Sequence, residues 1–186
     1  VTGVPATSRG STGAAAAQTL LSTTTLAVDG TFDVATIDQT YNDLLLVCIC
    51  RATRAATTEV LGLRFNNDSA GNYDFGVTYN QNSTQTVNTS TAQTSIQPNW
   101  RVPAASATAA YFAQTWMYVA GYASTTWRKS MIGQWEGQSA IGAANSSQGN
   151  SAGWWASTAA INRVQIFGVV TANLLTGSVL RIYGIL

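Results

Sequence analysis

LLLVCICR, Leu44 to Arg51, followed after a polar link by VLGLRF, Val60 to Phe65, decides the fold class. The first is a continuous apolar run of strand length, the mark of a core strand buried on both faces or lying under an extra layer. In the second, Leu61, Leu63 and Phe65 alternate with their neighbours, so a pleated strand sets all three on one face. Outward from this pair, short β-prone runs recur between turn residues. They are TTTLAV and TFDVATI on either side of Asp29-Gly30, then YDFGVTY, a weak TVNTST, SIQPNWRV, AYFAQTWMYVA, TWRKSMIGQW, AINRVQIFGVV and SVLRIYGIL. Asp29-Gly30 is a strong hairpin signal and predicts that its two flanks pair, with Phe32, Val34 and Ile37 inward. Pro98 demotes its segment to an edge strand or a bulge. About eight to ten strands and no credible long helix predict an all-β chain, a single antiparallel β-sandwich of jelly-roll form over residues 23–186.

Composition narrows the function. The chain has 186 residues, of which 46% are hydrophobic and only 9% charged. That length is room for one domain, since about 150 residues bury about 70% of their unfolded surface. The charged share lies far below the roughly 25% of ordinary soluble domains, so Thr, Ser, Asn, Gln and small residues must cover the outside. A net charge of +1 with scattered basic residues leaves no footprint for a phosphate backbone, which argues against nucleic acid. The run from Leu44 to Cys50 is far shorter than the roughly 20 residues of a spanning helix, which argues against a membrane. Val1 opens no charged-then-apolar segment, so no secretory signal is expected and an initiator Met is expected to have been removed.

Chemistry is scarce. There is no histidine, hence no imidazole base and none of the commonest metal ligand. Cys48 and Cys50 lie two apart, which in a strand puts both on one face about 7 Å apart; free, buried thiols are expected. Lys129, the only lysine, adjoins Ser130, but neighbours in a strand face opposite ways and cannot form a dyad. Among the carboxylates, Asp68, Asp74 and Glu136 stand in aromatic surroundings, and nothing in the sequence brings two of them to one groove. Oxygen ligands from Asn66, Asp68, Asn72 and Asp74 lack the spacing of a calcium loop with its closing Glu. The expectation is a chain that is not an enzyme and takes no cofactor or metal.

Residues 1–22 are small and polar until Leu20 and Leu21 and have no period that buries a face, so they read as an N-terminal arm ordered by neighbouring chains. A marginal helix over Ala14 to Leu21 is the local option. Two further stretches, 80–95 and 137–153, are polar and nearly uncharged, and read as extended loops. Trp116, Trp127 and Trp135 alternate with polar residues and read as core. Trp154 and Trp155 are adjacent, so both cannot face one core. Val4, Pro5, Leu20, Leu21, Trp154 and Trp155 are therefore the candidate assembly contacts.

Three ordered stretches carry a resemblance. FDVATIDQTYNDLLLVCICRAT (32–53), LGLRFNNDSAGNYDF (61–75) and the C-terminal pair AINRVQIF and LLTGSVLRIYGIL together resemble a β-sandwich domain of virion structural proteins of tailed bacteriophages, found in tail fibres and capsid-attached proteins. The resemblance spans Thr19 to Leu186, with 80–130 similar only in general character. In those motifs Tyr41 and Asn42 are placed to anchor a corner through the phenol, and Arg51 and Arg64 require carbonyl or carboxylate partners, among them Asp38, Asp43 and Asp68. The resemblance implies a capsid decoration or cement protein on the outer surface of the head. Its partners would be the major capsid protein and its own copies, with a trimer favoured. A tail-fibre or receptor-binding module for a bacterial surface glycan is the alternative.

Overall fold

A computed structural model describes residues 17–97, 99–141, 146–170 and 173–186. Among them are twelve strands and no helix, arranged as two antiparallel sheets packed into a sandwich. The larger sheet has the order β1 (Gln18–Thr25), β12 (Val179–Ile185), β3 (Asp43–Cys50), β8 (Ala113–Ala120), β9 (Lys129–Gln138), β10 (Ser146–Trp155), β5 (Tyr73–Gln81) and β6 (Thr84–Gln93). The smaller has the order β2 (Phe32–Ala35), β11 (Arg163–Gly168), β4 (Thr58–Phe65) and β7 (Arg101–Pro103). The sandwich expected from the alternating runs is present. An order of eight strands against four does not by itself define a jelly roll.

The deciding stretch supplies one strand to each sheet. Leu44, Leu46, Cys48 and Cys50 of β3 and Leu61, Leu63 and Phe65 of β4 all point into the common core. The other face of β3 is not fully covered: Leu45, Val47 and Ile49 are half-buried, which corrects the expectation of burial on both sides. Both cysteines are free and buried. The contact with Cys50 and burial push the Cys48 thiol well above its ordinary range.

Several local readings give way to tertiary pairing. The flanks of Asp29-Gly30 do not form a hairpin, because β1 pairs with β12 in one sheet and β2 with β11 in the other. The segment 174–178 takes the hydrogen bonds a hairpin would have used. Gly30 and Leu174 exchange both amide bonds, at 2.9 and 2.7 Å, and the Asp29 carboxylate accepts from the Thr176 amide at 2.8 Å. Gln18 to Leu21 is strand rather than helix, since pairing with β12 outweighs a weak local propensity. The domain therefore begins within the expected arm, while Ala14 to Ala16 and the candidate contacts Val4 and Pro5 lie outside the described residues, as does Pro98.

The stretches read as loops are mostly strand. Residues 80–95 close the β5–β6 hairpin through Asn82 and Ser83, both at positive φ (51° and 67°), as a two-residue turn of the twisted type requires. Residues 146–153 lie in β10, paired on both sides. Its inward positions are Ser147, Gly149, Ser151 and Gly153 because larger groups from neighbouring strands fill the space. Trp100 Nε1 donates to Ser151 Oγ at 3.1 Å, and a Cβ on Gly149 would strike the Trp135 ring. Small residues here mark a packed strand, not a linker.

Two buried cations are held by carbonyls. Arg51 donates to the carbonyl oxygens of Thr108 (2.6 Å), Ala107 (2.8 Å) and Ala104 (2.9 Å), so its partners are main-chain groups and not the expected aspartates. Lys129 donates to those of Ser124 (2.6 Å), Trp127 (3.0 Å) and Thr158 (3.2 Å). Arg64 donates to the Thr94 carbonyl at 2.9 Å, with its guanidinium over the Phe167 ring. The corner before β3 is tied by Tyr122, whose hydroxyl donates to the Asp38 carbonyl, and by Tyr118, whose hydroxyl donates to Asp43. Tyr41 contributes its ring instead, packed flat against Gly184.

Candidate binding face

The strand registers put outward residues of the eight-stranded sheet into straight cross-strand rows. One row runs Leu20, Tyr183, Leu45, Tyr118, Ile132 across β1, β12, β3, β8 and β9. The flanking rows are mixed: Val47, Ile49, Val179 and Ile185 stand there beside Arg181, Asp43, Thr23 and Thr25, so the apolar feature of this face is the single row. Leu20 and Ile132 are 52% and 56% exposed. These two stand at opposite ends of the row, with the half-buried Tyr183, Leu45 and Tyr118 between them.

Two rows nearer β6 are mostly polar. Gln114, Glu136, Gln148, Asn80 and Gln85 form one row across β8, β9, β10, β5 and β6, and Trp116, Gln134, Asn150 and Thr78 the next. Together they line a cleft of about 480 Å³, within the roughly 300–1,000 Å³ of small-molecule sites. Gln134 Nε2 donates to Asn150 Oδ1 at 2.7 Å. The side chains of Gln114, Gln148 and Asn80 make no hydrogen bond among the described residues. Glu136 is the one carboxylate of the lining, and no lysine or arginine belongs to it.

The candidate contacts separate clearly. Leu20 points outward in the apolar row, whereas Leu21 is half-buried and packs against the core. Trp154 is 49% exposed on the outer face. Trp155 is withdrawn from any outward contact: it is 2% exposed and stacks on Tyr73 with centroids 6.3 Å apart and planes at 13°. The adjacent indoles do face opposite ways, as a pleated strand requires. Of the tryptophans expected in the core, Trp135 is there, Trp116 is half-buried on the outer face at the cleft, and Trp127 is 58% exposed in the turn before β9. Lys129 points inward and Ser130 outward, so they cannot act together.

The oxygens of FNNDSAGNY serve the turn. Asp68 accepts from Trp155 Nε1 (2.7 Å), Asn72 Nδ2 (2.9 Å) and the Ala70 amide (2.9 Å). Asn66 Oδ1 accepts from the Asn162 and Arg163 amides, and Asp74 from the Ala92 amide. Burial works against the Asp68 carboxylate, but the three hydrogen bonds together outweigh it and hold its pKa below the ordinary value of 3.8. A depressed acid stabilises the fold above its unfolded pKa, and that contribution is lost as pH falls through the folded value. Asp68→Asn is accordingly expected to cost about 1–2 kcal/mol at pH 7. In urea melts the gap to the parent should narrow as pH falls below 3.8; a gap independent of pH would contradict the assignment.

Comparisons with family models, curated proteins and solved structures return no match.

Proposed function

We propose that the chain is a structural protein of a tailed-phage virion, a capsid decoration or cement protein that lies on the outer surface of the head and catalyses no reaction. The observation that carries the reading is the apolar row Leu20, Tyr183, Leu45, Tyr118 and Ile132 across the outer face of a low-charge domain, which starts on the strand into which residues 1–17 lead. Its occupant is the major capsid protein. Burial of such a row contributes roughly 25 cal/mol per Å² of apolar area. A protein that binds only the assembled lattice stabilises that lattice by mass action. Copies of the chain associate as a homo-oligomer, a trimer on the resemblance.

Because Gln18 to Leu21 belongs to β1, the deletion that separates attachment from folding ends at residue 16. A chain lacking 1–16 is expected to melt like the parent and to cosediment poorly with heads of its phage that lack the protein. Full occupancy by the shortened chain would remove these residues from attachment. A second reading, a tail-fibre or receptor-binding module for a surface glycan, is favoured by the amide-lined cleft.

A further inference from the structure

We infer that the cleft over β8, β9, β10, β5 and β6 is a binding site for a neutral oligosaccharide, with Trp116 as the stacking plate and the amides of Gln114, Gln148 and Asn150 as hydroxyl partners. The site adjoins the apolar row on the same outer face of the sheet, and the inference rests on the second reading, a glycan-binding module.

The geometry is that of a grid. Neighbouring strands lie about 4.8 Å apart and successive outward residues about 6.8 Å, so the two rows present hydrogen-bonding groups at regular intervals on a nearly continuous floor. Each side-chain amide offers two donors and a two-lone-pair acceptor, the combination that vicinal hydroxyls satisfy as donor and acceptor at once. Trp116 stands at one end of its row, next to Gln134 across the β8–β9 pair. An indole face there supplies apolar contact to the C–H side of a sugar ring while the amides take its edge. The lining carries one carboxylate, Glu136, and no cation, which disfavours phosphorylated or acidic ligands. It also offers no apolar pocket that would select peptide side chains.

Gly149 and Trp135 shape the floor. Trp135 lies under Gly149, and any larger residue there would push the indole or the strand and raise the floor of the cleft.

The test is titration of the full chain with cellohexaose, maltohexaose, chitohexaose and a mannan hexasaccharide, read by tryptophan fluorescence and by calorimetry. Binding of at least one neutral hexasaccharide is expected, weakened tenfold or more by Trp116→Ala and by Gln148→Ala. Gln148 is exposed, so its substitution leaves the fold intact and keeps the test valid should Trp116→Ala unfold. Trp154→Ala, outside the lining, is expected to bind as the parent does. Absence of binding to all four sugars, binding indifferent to Gln148→Ala, or loss confined to Trp154→Ala would each overturn the assignment.

Discussion

Arg51→Met is expected to destabilise the fold by about 3–5 kcal/mol, the largest effect of any single substitution considered. The buried guanidinium is the donor for the carbonyls of Ala104, Ala107 and Thr108, with longer contacts to Ala105 and Tyr111 at 3.5 and 3.4 Å. These groups belong to the irregular crossing from β7 in the small sheet to β8 in the large one. Without Arg51 the buried Ala107 carbonyl loses its donor and the Ala104 carbonyl keeps only the Ala107 amide at 3.0 Å; an orphaned group costs about 1–3 kcal/mol, and each hydrogen bond from a charged donor is worth about 1.5–3 kcal/mol. Methionine keeps much of the side-chain bulk, so the effect reads the hydrogen bonds rather than a cavity. Arg51→Lys keeps the charge but not the planar fork that reaches several carbonyls at once, and should recover only part of the loss. Urea unfolding measures the difference. Amide exchange across 104–111 should quicken in parallel, and a loss below 1 kcal/mol would show that the crossing holds itself.

Ile132→Asp is expected to lower affinity for heads about 30-fold or more while leaving the melting temperature nearly unchanged. The side chain is 56% exposed, so little core packing is lost, and it stands in the apolar row with Tyr118 and Ala152 on either side. A carboxylate buried in an apolar contact must be desolvated without a partner, which commonly costs about 2 kcal/mol or more. Glu136→Gln, four residues along the same strand and in the cleft lining, serves as control and should attach normally. Equal attachment by Ile132→Asp would move the contact off this face.

What the sequence discloses follows its periodicities. The runs around Leu44 to Cys50 and Val60 to Phe65 announce strands because their apolar residues face one core, and the opposed directions of Trp154 and Trp155 follow from the pleat alone. Asp29-Gly30 misleads because a turn signal says where the chain bends and not which strand it meets next; the Leu174 to Ser178 segment, distant in sequence, decides that. β10 hides for a different reason. Its inward residues are small so that Trp100, Trp135 and Ile96 fit over them, and apolar alternation vanishes where the packing is supplied from elsewhere. The polar cleft was half legible. Gln114 and Trp116, Gln134 and Glu136, and Gln148 and Asn150 each stand two apart in their strands, but only the register across five strands makes them neighbours. That Arg51 needs carbonyl or carboxylate partners is legible, but which carbonyls serve Arg51 and Lys129 carries no side-chain signature.

Imaging of the intact phage particle, with the chain located by a bound antibody fragment, tests the account most directly. Regular density over the head lattice, with the eight-stranded sheet turned toward the shell, is the predicted result. Density confined to the tail, or none on the particle, would contradict it.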